Sequence, residues 1–276
     1  MQTLIGSGKR RQMLQKVRLL GHRIKVRINV AHAAGLTRIG KFDPNDVFIV
    51  GYPKSGNTWF QYLVSEIVYG VNATIAPDSL INQIVVDVDY KAYYFRLGKP
   101  MFFKSHQLPM PEHRRVVYLL RDGRDAMVSY FHHIKAIEHL KELDYMDVVR
   151  NGTYLSPCKW HEHVEQWLAN PYDAQIMTIK YEEMKAQPLE TLEKFCAYMG
   201  LERDKAYLEQ VVQRTSLSEM KKRDKMGWDT KAWPKDQPFI RRGSVGSFKD
   251  EMPEDVLKEF LSQAGNTLCK VGYAID

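Results

Sequence analysis

Apolar residues recur along the chain in two alternating rhythms. Short runs rich in β-branched and aromatic residues, at Val47 to Tyr52, Met101 to Ser105, Val116 to Leu120 and Gln175 to Lys180, read as strands. Between them the period lengthens to that of a helix. Phe60, Leu63, Val64, Ile67 and Val68 share one face, and Gly70 stands where that helix should stop. Met127, Phe131 and Ile134 form a second stripe, and Leu189, Leu192, Phe195 and Cys196, followed by Gly200, a third. Strands alternating with helices predict an α/β fold, with a central parallel sheet flanked by helices in a single domain. No internal repeat, low-complexity tract or Pro/Gly/Ser linker divides it.

The first predicted strand runs straight into Gly51-Tyr52-Pro53-Lys54-Ser55-Gly56-Asn57-Thr58-Trp59, and the first amphipathic helix follows. A strand, a tight loop and a helix start gather backbone N–H groups around one point, with the positive end of the helix dipole behind them. Gly51 and Gly56 let the backbone approach an anion closely, and Ser55, Asn57 and Thr58 add side-chain donors. The glycine spacing matches the Walker A loop, but Asn57 stands where its Lys belongs, and the Lys sits inside the loop at position 54. Lys54 would therefore lie beside a single phosphate rather than reach outward along a triphosphate.

A second phosphate site is suggested by Arg121 at the end of the Val116 to Leu120 strand. Ser129 lies eight residues on, two turns into the next helix, so both can face one crevice. A salt bridge from Arg121 to Asp122 or Asp125 is the alternative. Phe102-Phe103-Lys104-Ser105-His106 closes another strand, and its His is a candidate base because imidazole titrates near neutrality. Trp59 offers a stacking face.

Charge adds a feature outside this core. The formal net charge is +7, but residues 1–42 hold ten Lys or Arg and no acid, leaving a net −3 for the rest. That body speaks against a nucleic-acid face. Met13, Val17, Leu20, Ile24 and Ile28 repeat at helical spacing among the basic residues. Three readings stay open: a solvated helix capping the domain, peripheral membrane contact through residues 9–28, or a transit peptide. The domain proper is taken as 43–276. No apolar run approaches the roughly 20 residues of a membrane span, and Cys158, Cys196 and Cys269 form no CxxC pair. A reducing, cytoplasmic location is the better reading. No metal site is expected, because His161-Glu162-His163 and His132-His133 lack HExxH spacing; both read as structural or solvent-facing.

Two of these segments carry a family resemblance. Residues 52–59, YPKSGNTW, resemble the 5′-phosphosulfate loop of the cytosolic sulfotransferases. Arg241 to Lys249, RRGSVGSFK, resembles that family's C-terminal RKGxxGxWK motif, with Phe248 for the usual Trp. They stand nearly 190 residues apart in the family's order, and the likeness covers about residues 44 to 250. It implies a P-loop-like architecture shared with nucleotide kinases, 3′-phosphoadenosine 5′-phosphosulfate (PAPS) as sulfuryl donor and 3′,5′-ADP (PAP) as product. By the same resemblance Lys54, Ser55, Gly56, Asn57 and Thr58 hold the 5′-phosphosulfate, and Arg121, Ser129, Arg241, Arg242 and Gly243 the 3′-phosphate. Trp59, Tyr181, Thr215, Ser216, Leu217 and Phe239 frame the adenine. His106 is implied as the base, Lys54 and Lys104 as stabilisers of the leaving phosphate, and Ser129 as the residue steering Lys54.

The acceptor, a small-molecule or lipid alcohol, is not readable. Its pocket is expected from segments 77–100, 135–157 and 222–238, with Tyr90, Tyr93, Tyr94, Phe95, Tyr145, Tyr154, Trp228 and Trp233. The resembled family's dimer motif, KxxxTVxxxE, is absent here, where Lys249 is followed by Asp250-Glu251-Met252-Pro253, so the resemblance does not imply that dimer and the oligomeric state stays open. The rival readings are a P-loop nucleoside or small-molecule kinase, which would need Mg²⁺ and a Walker Lys, and a non-catalytic module acting through the basic tail.

Overall fold

The structure is a computed structural model and describes residues 35–138, 140, 142–225 and 238–275. The segment 9–28, Trp228 and Trp233 lie outside these residues. In chain order the elements are β1 (Leu36–Arg38), β2 (Val47–Gly51), α1 (Asn57–Tyr69), α2 (Asp78–Ile84), β3 (Val85–Asp87), β4 (Tyr93–Phe95), β5 (Phe102–Ser105) and β6 (Arg115–Leu120). There follow α3 (Gly123–Ile137), α4 (Tyr145–Asn151), α5 (Trp160–Ala169), β7 (Gln175–Lys180), α6 (Tyr181–Ala186), α7 (Pro188–Met199), α8 (Lys205–Arg214), α9 (Leu217–Lys225), α10 (Phe248–Glu251) and α11 (Glu254–Lys270).

Five strands form one parallel sheet in the order β3-β5-β2-β6-β7. The strand residues alternate between two separate apolar clusters. Phe48 and Val50 of β2, with Val116, Tyr118 and Leu120 of β6, face α3, α4, α5 and α11. Val47, Ile49, Val117 and Leu119 face α1, α2, α7 and α8. Helices therefore cover both faces, as the alternation of runs predicts, and β2 reads as an unbroken apolar stretch because every residue in it is buried. Helices α1 and α7 end at Gly70 and Gly200, both in the left-handed conformation.

Two features were not legible in the sequence. β3 is three residues long, too short for a periodic signal. β1 pairs antiparallel with β4, Thr37 opposite Tyr94, and Ile39 and Phe42 pack on the core. The last residues of the basic N-terminal segment thus attach to the body. Among the described residues no helix is long and apolar enough to cross a membrane.

The turn from β6 into α3 is fixed by contact with α5. Trp160 is fully buried, its indole N–H donates to the Arg121 carbonyl at 3.2 Å, and its ring leaves Gly123 no room for a side chain. A Cβ on Gly123 would stand 2.4 Å from Trp160 Cδ2. Gly123→Ala is expected to lower stability by about 1–3 kcal/mol through overpacking, measured by urea unfolding; an unchanged midpoint would show that the turn yields freely.

Candidate active site

The parallel register brings three strand ends to one edge of the sheet. Val50 pairs with Ser105 and Gly51 with Leu119, so the residues after β5, β2 and β6 emerge side by side. After β2 the chain makes a tight loop and enters α1. Two of its residues have left-handed backbone, Lys54 at φ 71° and Gly56 at φ 96°. The glycines are needed for space as well. A Cβ on Gly51 would lie 2.6 Å from the Leu119 carbonyl, and one on Gly56 2.9 Å from the Tyr181 ring. No side chain caps α1 and its first turn holds no acid, so its amides and dipole face the loop with positive potential.

The loop's side chains divide. Ser55 is buried, with its hydroxyl lacking a hydrogen-bond partner among the described residues. Lys54 Nζ lies 4.4 Å from the Phe239 ring centroid. Burial, then the nearby Arg121 and Lys104 charges, pull its pKa down to about 7. Lys104 pairs with Asp87 at 2.7 Å and reaches Thr58 Oγ1 at 3.5 Å. Asn57 departs from expectation. Its amide is turned into the sheet, 3.4 Å from the Gly51 carbonyl and 3.5 Å from that of Ser105, where it ties β2 to β5 instead of adding a donor to the loop.

Arg121 makes neither of the salt bridges considered from sequence. Asp122 is taken by Arg124 at 2.7 Å, and Asp125 accepts from Gly246 N at 2.7 Å, Phe248 N at 3.0 Å and Ser247 Oγ at 3.1 Å. Arg121 donates to the Lys54 carbonyl at 2.8 Å and the Ser244 carbonyl at 3.1 Å, with its guanidinium 4.4 Å from the Tyr181 ring centroid. One side chain thus joins the first loop to the distant RRGSVGSFK segment. The Trp59 indole N–H donates to the Thr215 carbonyl at 2.8 Å and the ring meets Tyr181 edge-on. Leu217 packs against Gly243, whose φ is 64°. Arg241 and Arg242 are both bonded to Glu251, Arg242 at 3.1 Å, and His132 approaches the same carboxylate at 3.3 Å. Ser216 caps its own helix through Glu219 N. Ser129, half-buried on α3, makes no side-chain hydrogen bond within the described residues.

His106 stands opposite the loop. Its Nδ1 is 2.7 Å from the Gly51 carbonyl and its main-chain N–H donates to Asp89 at 2.9 Å. A carbonyl only accepts, so Nδ1 carries the ring proton and Nε2 is left with its lone pair. Burial, then the Lys104 charge, holds this imidazole below its ordinary pKa, which keeps it neutral.

Of the aromatic residues assigned to the acceptor side, Tyr94 is locked in the core with its hydroxyl on the Lys41 carbonyl, and Tyr145 stacks on Phe131 at 4.0 Å. Tyr90, Phe95 and Tyr154 are exposed. Residues not found from sequence are Asp87 and Asp89, which serve Lys104 and His106 from 17 positions away, and Glu251, which gathers Arg241, Arg242 and His132; Asp125 was weighed only as a partner of Arg121. Among the described residues no three His, Cys, Asp or Glu side chains are grouped to hold a metal ion.

Of the buried side-chain polar atoms that lack a hydrogen-bond partner among the described residues, four lie on the segments just described: Ser55 Oγ, Arg121 Nε, Arg241 Nε and Ser244 Oγ. All belong to Arg121 or to the two segments it joins.

Comparison with known proteins agrees with this geometry. The model of the sulfotransferase domain family matches residues 44–268. Sulfotransferase 1C2 of Rattus norvegicus is 28% identical over 235 residues, covering 76% of this chain and 78% of that protein. Sulfotransferase 1B1 of Mus musculus is 26% identical, with 80% and 82% covered. In fold the chain is similar to retinol dehydratase in complex with retinol and PAP (TM-score 0.66, 22% identity, 83% of this chain and 82% of that one). It is also similar to mouse sulfotransferase SULT7A1 complexed with PAP (TM-score 0.60, 21% identity, 85% and 91%).

Asp125 is fully buried and satisfies two amides and a hydroxyl of residues 246–248. Asp125→Ala is expected to cost about 3 kcal/mol by orphaning these donors, and to speed amide exchange at Gly246 and Phe248. Protected amides at both positions would show that the carboxylate does not hold the loop.

Proposed function

The chain belongs to the sulfotransferase domain family, and from that premise we propose that it transfers the sulfuryl group of PAPS to a hydroxyl of a small-molecule acceptor, with His106 as general base. The observation that carries the reading is the neutral His106 imidazole, hydrogen-bonded through Nδ1 to the Gly51 carbonyl at the start of a loop that Arg121 ties to the Arg241–Lys249 segment. The donor supplies an activated sulfuryl group on its 5′-phosphate. Lys54, the α1 amides and the Ser55 hydroxyl bind that phosphate, and Arg121 with Arg241 binds the phosphate on the 3′ side.

His106 Nε2 takes the acceptor's proton as its oxygen attacks sulfur. Two devices keep it ready. The Gly51 carbonyl fixes the tautomer, and burial with Lys104 keeps the ring unprotonated. Lys104, anchored by Asp87 and close to Thr58, is the second cation assigned to the negative charge that grows on the departing phosphate oxygen, a role its contact with the loop's Thr58 supports. Lys54, with its pKa near 7, can take up a proton as that charge develops. A kinase reading is weaker, because nothing in the loop replaces the Walker Lys at position 57.

His106→Ala is expected to lower kcat by about 10²- to 10⁴-fold while PAP affinity, measured by calorimetry, stays near wild type. A base must be unprotonated to act, and the His106 pKa is depressed. Activity should therefore persist as pH falls through the ordinary imidazole value of about 6.5 and be lost only below it. Full turnover in the variant, or an acidic limb above that value, removes His106 as the base.

Glu251 gives a test on the other side. Its carboxylate neutralises Arg241 and Arg242, and a phosphate must compete with it. Glu251→Gln is expected to tighten PAP binding roughly 2- to 5-fold, as for a partly screened ion pair, and more so at low salt. Weaker binding would mean that the carboxylate orients the arginines instead of competing for them.

A further inference from the structure

Two side chains of α5, one helical turn apart, grip the main chain that carries the candidate base. His163 Nε2 lies 3.2 Å from the His106 carbonyl, and Trp167 Nε1 donates to the next carbonyl, Gln107, at 3.2 Å. The His106 carbonyl can only accept, so the His163 proton sits on Nε2. Nδ1 is then an acceptor, and the Tyr118 hydroxyl donates to it at 3.0 Å. The ring is fully buried. It stacks on Tyr118 with planes 18° apart and meets the edge of Tyr52 at 5.7 Å. Trp167 also stacks on Tyr118, with centroids 5.6 Å apart. Burial, then the neighbouring His106, pulls the His163 pKa down to about 3, so the ring stays neutral at ordinary pH.

On the reading of His106 as base, we infer that His163, assisted by Trp167, is a positioning residue: its Nε2–H holds the His106 peptide so that the His106 ring keeps its bond to Gly51 and its bare nitrogen toward the reacting hydroxyl. Residue 106 is held through both of its flanking peptides, the N–H of one by Asp89 and the carbonyl of the next by His163. The side chain is tied separately to the loop. Rotation of any one part must break one of three bonds. A polar group is buried at full depth in α5 because the carbonyls of residues 106 and 107, just past the end of β5, would otherwise lose their partners.

The test is a ¹⁵N-histidine NMR titration of His106 together with kinetics using p-nitrophenol and labelled PAPS. The charged or titratable groups facing His106 are Lys104, Asp87, Asp89, His133 and His163, and only the last is changed. In His163→Phe, which keeps an aromatic ring but no donor, the His106 ring should lose its fixed tautomer and its titration should move up toward the ordinary value. The kcat should fall about tenfold to hundredfold, as for a reacting group displaced by under 1 Å, with PAP affinity unchanged. His163→Gln, which returns an N–H, should recover most of the loss. In a His106→Ala background, His163→Phe should cause no further loss. An unmoved His106 titration, or a full additional loss in that background, overturns the inference and leaves the base assignment standing; wild-type turnover in His106→Ala alone overturns the base assignment instead. Should His163→Phe fail to fold, Trp167→Phe reads the same points: a shift of the His106 titration in the same direction supports the clamp, and none refutes it.

Discussion

The hydrogen bond from His106 Nδ1 to the Gly51 carbonyl joins the end of β5 to the start of the tight loop between β2 and α1. It exists because β2 and β5 are parallel neighbours in register, Val50 beside Ser105, so that the residues just past both strands meet. One acceptor atom thereby sets the distance between the loop and the imidazole, and also decides which ring nitrogen is bare. Buried Asn57 reaches the same carbonyl from α1, so strand, loop and helix converge on one peptide oxygen.

Around that point the molecule gathers positive charge that the rest of the chain does not share. Excluding residues 1–42 the net charge is −3, yet Lys54, Lys104, Arg121, Arg241 and Arg242 meet near the loop. Each is accommodated differently. Lys104 has Asp87, and Arg241 and Arg242 share Glu251. Arg121 has no carboxylate partner among the described residues and rests on two carbonyl dipoles and the Tyr181 face. Lys54 responds by giving up its proton more readily. Burying a charge is unfavourable, and the two carbonyl dipoles and the ring face on Arg121 offset part of that cost.

Much of this was readable from the chain. The Gly51–Gly56 spacing, the displaced Lys54 and the four predicted strands were legible because each has a local signature: a tight turn, a breached motif, an apolar run. Arg121 was found as a candidate, but not its partners, since the choice between Asp122, Asp125 and two carbonyls is made by Arg124 and by residues 246–248. Asn57 misled for a related reason. Beside a phosphate loop an amide looks like a donor to phosphate, and only the strand register shows it facing inward. His163 looked merely structural because the carbonyl it serves is 57 positions away in sequence. What escaped was tertiary in origin, side chains whose use is set by backbone brought from elsewhere.

The left-handed backbone of Lys54 has one more consequence. A residue with a Cβ holds this conformation at about 1–2 kcal/mol above the ordinary helical or extended one. A glycine would relax the turn and an amine would be lost with it. The turn is thus a spring set by the fold, kept cocked by Arg121 on the Lys54 carbonyl. That conformation is set when the protein folds, so the positive face of the loop is shaped before any ligand arrives.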